Sequence, residues 1–169
     1  MPRVEFDALP DRGRLWVLPA TQALTSAQSD AFLHEVDSFL DAWAAHGIPL
    51  RCGRQLRDDQ FLIIGVDVDA EAPSGCSIDA LVNSLRGLGT ELSVSLIDHA
   101  PVWYRAGDQI RSATRAEFRA LAKGGTVGPE THVFDTSLTT IGSFRAGELE
   151  RPAVSTWHGQ AFFGDQASN

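Results

Sequence analysis

Cys76 stands in the string Ser74-Gly75-Cys76-Ser77-Ile78-Asp79, where a loop gives way to apolar residues spaced three and four apart. A thiol at a helix N-terminus meets unpaired backbone N–H groups and the positive end of the helix dipole, and both favour the thiolate. The chemistry that follows is nucleophilic and needs a base. His158 and His46 are the leading candidate imidazoles, His99 is a third, and Asp79 is placed to orient one of them or to cap the helix. The same string also has a structural reading, in which Gly75 makes the turn, Ser74 or Ser77 caps the helix and Cys76 packs as a small apolar group. If the site binds without reacting, Ser74, Gly75 and Ser77 are the groups that would hold a ligand. Trp157, beside His158, would then close over it or simply seal the core.

Two charged groups have spacings of their own. Asp67, Asp69 and Glu71 alternate at the end of an apolar run, so an extended backbone would send all three carboxylates to one side. With Asp79 nearby they would suit a hard cation such as magnesium, although acidic residues leaving a strand are more commonly solvated. No metal site is assigned on this pattern. Arg115, Arg119 and Lys123 fall at four-residue steps, with Arg105 and Arg111 just before them, and form the main basic concentration of the chain. They would suit an anionic ligand or an acidic partner, or a solvated helix face partly balanced by Glu117. Lys123-Gly124-Gly125-Thr126-Val127-Gly128 is glycine-rich, but its lysine precedes the glycines. A phosphate-binding loop needs the lysine after them, at the start of a helix. With no nucleotide, hydrolase or metalloprotease motif present, no cofactor is expected.

A chain of 169 residues, 43% of them hydrophobic, can fill one core, and a single α+β domain over 1–169 is expected. The formal net charge of -8 opposes non-specific attraction to nucleic acid or anionic lipid, so neither is an expected partner. Cys52 and Cys76 are the only cysteines, too few for a disulfide framework. The start, Met1-Pro2-Arg3-Val4-Glu5-Phe6, has no apolar run of the signal-peptide kind, which makes the cytoplasm the expected location.

The elements that must position these residues follow from periodicity. Leu15-Trp16-Val17-Leu18 reads as a strand closed by Pro19. Thr25 and Gln28 form a capping box that opens a helix with Phe32, Val36, Phe39, Leu40 and Trp43 on one stripe, ending near Gly47 and Pro49. That ending puts His46 in the last turn, well placed against the helix dipole. Residues 50–56 and 61–68 read as a hairpin whose second strand is buried on both faces. A second amphipathic helix carries Ile78, Leu81, Val82, Leu85 and Leu88 and is expected to stop near Gly87 or Gly89. The run 94–97 is ambiguous between helix and strand. A hairpin around Ala106-Gly107-Asp108 and a short helix capped by Thr114 and Glu117 come next. Phe134, Leu138, Ile141 and Phe144 suggest a last helix, and Trp157 and Phe162-Phe163 an aromatic tail that docks on the domain. This order predicts an α+β fold: a mostly antiparallel sheet with helices packed on one face, a ferredoxin-like variant with a C-terminal helical extension.

Four strings spread over nearly the whole chain, Arg14-Leu15-Trp16-Val17, Trp43-Ala44-Ala45-His46-Gly47-Ile48-Pro49-Leu50, Ser74-Gly75-Cys76-Ser77-Ile78-Asp79 and Ser155-Thr156-Trp157-His158, resemble those of a family of small bacterial proteins common in Bacteroidetes. Its members often carry the label "ABC transporter ATPase". The label implies nucleotide hydrolysis, and this chain has no Walker A motif; the resemblance transfers a pattern and no mechanism. The last string departs from the family's in having Thr156 between Ser155 and Trp157. Two functions are therefore carried forward: a binding or interaction module for a small-molecule or protein ligand, and an enzyme with Cys76 as nucleophile. A two-fold homodimer is compatible with either.

Overall fold

A computed structural model describes residues 3–92 and 101–167, with side chains up to Gly164; the run 94–97 and His99 lie outside it. The chain divides into two compact units, residues 1–98 with 137–145 and residues 99–136 with 146–169. Each is described in turn.

In the first unit, β1 (Arg14–Pro19) leads to α1 (Ser26–Asp41), then to a two-residue pair β2 (Ala44–Ala45) and β3 (Ile48–Pro49), the hairpin β4 (Cys52–Arg57) and β5 (Phe61–Val66), and α2 (Gly75–Leu92). The expected capping box opens α1: Thr25 Oγ1 accepts from the Gln28 N–H at 3.2 Å, and Gln28 Oε1 accepts from the Thr25 N–H at 2.9 Å. Strand β5 lies between β1 and β4, antiparallel to both, and all six of its residues are buried. The register pairs Leu18 with Leu62, Trp16 with Ile64 and Cys52 with Val66, so strand alternation turns these residues to one face. That face packs against Phe32, Val36 and Leu40 of α1 and Leu81, Leu85 and Leu88 of α2. On the other face a Cβ at Gly65 would come within 3.0 Å of Ile141, Leu9 and Phe6 side-chain atoms, so only glycine lets this layer close on the sheet.

The second unit holds β6 (Val102–Ala106), β7 (Gln109–Ala113), α3 (Arg115–Lys123) and β8 (His132–Phe134). After the short α4 (Ile141–Arg145), which belongs to the first unit, it continues with β9 (Glu150–Pro152) and α5 (Trp157–Ala167). The strands form a four-stranded antiparallel sheet in the order β7-β6-β8-β9. Thr114 caps α3 in the expected box with Glu117. Val102, Tyr104, Phe118, Val127, Val133, Ala153 and Phe163 make its core.

The class is α+β with antiparallel sheets, as expected. The antiparallel pairing of β1 with β5 supports that class and not the finer ferredoxin-like detail. Three element boundaries differ from expectation. Helix α1 stops at Asp41, and His46 and Gly47, with φ of 52° and 77°, form the two-residue turn of the β2–β3 pair. Helix α2 runs through Gly87 and Gly89 to Leu92, because burial of Leu85 and Leu88 outweighs a glycine cost of about 1 kcal/mol each. Phe134 belongs to β8, leaving only five residues in α4. Among the described residues, no helix is long and apolar enough to cross a membrane.

Candidate functional site

The start of α2 is a closed hydrogen-bond cycle. Ser74 Oγ accepts from the Ser77 N–H at 3.1 Å; Ser77 Oγ accepts from the Ser74 N–H and donates to the Ser74 carbonyl, both at 2.7 Å. Ser77 is buried and Trp43 donates its indole N–H to the Ser77 carbonyl at 2.8 Å, tying the turn to the chain beyond α1. Both serines are thus spent on the backbone rather than offered to a ligand. Gly75 is the first residue of the helix, its Cβ position open to solvent, so it is not the turn-maker expected. Cys76 and Asp79 are exposed, which overturns the packed-thiol alternative. His46 is also exposed, at the tip of its turn rather than in a helix, and makes no hydrogen bond or ion pair among the described residues.

The acidic run does not converge. Strand β5 ends at Val66, so the alternation needed for a shared face is lost. Asp67 pairs with Arg51 at 3.1 Å and accepts from the Asp69 N–H at 3.0 Å, while Asp69 pairs with Arg12. Among the described residues, no group of three or more His, Cys, Asp or Glu side chains could hold a metal ion.

His158 lies in the second unit, and Cys76, Asp79 and His46 in the first. Only 1% of His158 is exposed. Thr156 Oγ1 lies 3.0 Å from the Ala153 carbonyl, accepts from the His158 N–H at 3.1 Å and shares a hydrogen bond of 2.8 Å with His158 Nδ1. Burial pushes the imidazole down to about 4, against the pull of Asp135 and with help from Arg115, so the ring is neutral near pH 7. Trp157 stacks on it with ring centroids 3.8 Å apart.

Around this ring the second unit assembles a site. Helix α5 bends at Phe163, whose φ of -130° and ψ of 19° are not helical. At the bend two consecutive rings meet Phe118 of α3: Phe162 at 4.8 Å and Phe163 at 6.3 Å between centroids. Arg115 then lies 5.1 Å over the Trp157 ring and Arg119, one turn later, 5.5 Å over Phe162. Neither arginine, nor Lys123 on the next turn, makes an ion pair among the described residues. Arg119, Lys123, Gln160 and Phe162 line a cleft of about 320 Å³ between α3 and α5. Arg105 and Arg111 do not join them. Arg105 forms a two-point pair with Glu150 at 2.6 and 3.0 Å, and Arg111 bonds Gln109 at 3.3 Å.

The first unit has a larger cleft, about 530 Å³, walled by Glu5, Asp7, Asp30 and Asp59. Its arginine, Arg54, is held by both oxygens of Asp37 at 2.8 and 2.9 Å, and this bond keeps the Asp37 carboxyl below its usual range. Sequence reasoning found the cationic row of α3 and the aromatic tail separately. What it missed was their contact, because nothing local to either segment signals the bend that joins them. No family model matches the chain, and neither a curated protein nor a solved structure is found to be similar to it.

Proposed function

We propose that this protein is a binding module whose ligand is a small anion seated between α3 and α5. One observation carries the reading. On a chain with 22 acidic and 14 basic residues, Arg115, Arg119 and Lys123 occupy one face of α3 with no acidic partner among the described residues. Stacking on Trp157 and Phe162 holds the two guanidinium groups against ring faces, which reduces the side-chain entropy that an exposed arginine loses on binding an anion. Buried neutral His158 supports the platform rather than reacting. An exposed thiol at Cys76 without a disulfide suits a reducing compartment such as the cytoplasm. The test is titration with inorganic phosphate while following tryptophan fluorescence, since Trp157 is 39% exposed. A saturable change that is lost in the triple variant Arg115→Gln, Arg119→Gln, Lys123→Gln is expected. A linear response, or one the triple variant retains, overturns the proposal.

The cysteine-nucleophile reading keeps one observation in its favour, the exposure of Cys76 on the first turn of α2. It requires a thiol more acidic than an ordinary one, and alkylation by iodoacetamide across pH tests that.

A further inference from the structure

We infer that the anion taken by the α3–α5 cleft is a phosphate monoester carrying one flat ring; this rests on the anion-binding reading above. The cleft is two-sided in its chemistry. Arg119 and Lys123 stand on successive turns of α3, so two positive charges face one small volume, matching a dianion better than a monocarboxylate. A guanidinium fork and an ammonium point charge are complementary donors to a phosphate, and Gln160 adds an amide within the same wall.

The remaining lining residues are apolar. Ala122, Ala161 and Phe162 are among them, and the two alanines contribute only methyl groups. Phe162 is fixed edge-to-face on Phe118, at 73° between planes, so its position is set before a ligand arrives. The guanidinium carbon of Arg119 lies 5.5 Å from the centre of that ring, and a guanidinium plane can stack on an aromatic ligand while its edge holds the phosphate. A volume of about 320 Å³ has room for one ring with its phosphate.

The experiment compares phenyl phosphate with inorganic phosphate by calorimetric titration of the whole chain. Phenyl phosphate is expected to bind about tenfold more tightly, the gain of one additional ring contact. Arg119→Gln and Lys123→Gln should weaken both probes. Phe162→Leu keeps an apolar contact with Phe118 and, with the fold checked by circular dichroism, should weaken phenyl phosphate more than inorganic phosphate and so narrow the gap between the probes. Equal affinity for the two probes, or a gap that Phe162→Leu does not narrow, overturns the ring component and leaves the anion reading standing. Failure of both probes to bind overturns the two together.

Discussion

Trp43 donates its indole N–H to the carbonyl of Ser77 at 2.8 Å, in a buried contact spanning 34 residues of chain. The bond joins two strings that looked separate in the sequence: beyond the end of α1 at Asp41 the indole reaches the first turn of α2 while its ring packs on Trp16 and Phe39. Trp43→Phe keeps an aromatic ring but loses the donor. The expected cost is about 1–3 kcal/mol, from one buried hydrogen bond and the smaller ring. Urea unfolding should show it as a lower midpoint with an unchanged slope, and faster amide exchange should appear at the start of α2. Unchanged stability would mean that the bond is incidental.

The two thiols should behave as opposites. Cys52 is fully buried, its Sγ 3.6 Å from the Leu40 carbonyl, and burial pushes its thiol up to about 12. Cys76 is exposed on the first turn of α2. A thiol reagent added to native protein should therefore modify one equivalent quickly and the second only on unfolding. Cys76→Ser should abolish the fast phase. Fast reaction at both positions would contradict the packing of β4 against α1.

What the sequence made legible was local. Thr25 with Gln28 and Thr114 with Glu117 each close a capping box within one turn, so spacing alone locates the start of α1 and α3. The hairpin of β4 and β5 was equally plain, because an uninterrupted apolar run followed a four-residue polar turn. Boundaries set by distant contacts were not. His46-Gly47 serves as well for a helix stop as for a two-residue turn, and the pairing of Ala44-Ala45 with Ile48-Pro49 makes it the turn. Phe134 falls in step with Leu138 and Ile141 by coincidence; its place in β8 is fixed by pairing with Trp103 and Glu150. The candidate site was half legible for the same reason. A cationic row is a local pattern, whereas the rings beneath it arrive from a later helix.

Arg105 on β6 reaches past β8 to Glu150 on β9, bonding both carboxylate oxygens, while His132 of β8 approaches Glu150 at 3.1 Å. Arg105 also lies 5.4 Å over the Phe134 ring, so the pair clamps three neighbouring strands. The Arg105 bond holds the Glu150 carboxyl below its ordinary 4.5. A depressed carboxylate contributes stability above its unfolded-state value, and that contribution is lost as pH falls through the folded-state value. Glu150→Gln should cost about 1–3 kcal/mol near neutral pH, as loss of a charge-assisted bond does, and should remove part of the acid limb below about pH 4.5. Equal urea midpoints for variant and parent at both pH values would show that the pair contributes nothing.

His158 acts on a different stretch of the pH scale, and with the opposite consequence for its charged form. Its folded-state value, about 4, lies below the 6.5 of an unburied imidazole. Above about pH 6.5 the ring is neutral in both folded and unfolded chains, and stability does not depend on it. Between 6.5 and 4 the unfolded chain takes up a proton that the folded chain refuses, so acidification destabilises the fold. From about pH 7 to pH 5 the loss is about 2 kcal/mol, converting pH units at about 1.4 kcal/mol each. Asp37 and Glu150 do not obscure this window, because depressed carboxylates titrate below their ordinary 3.8 and 4.5. Asp135 and Arg115 act on the ring with opposite signs, so Asp135→Asn, by removing the favourable charge, should carry the dependence to lower pH. His158→Gln should be less stable at pH 7, having lost the stack on Trp157, yet nearly flat between pH 7 and pH 5. Urea midpoints of parent and variant across that interval decide the matter: parallel slopes would show that His158 is not the group whose burial the fold protects.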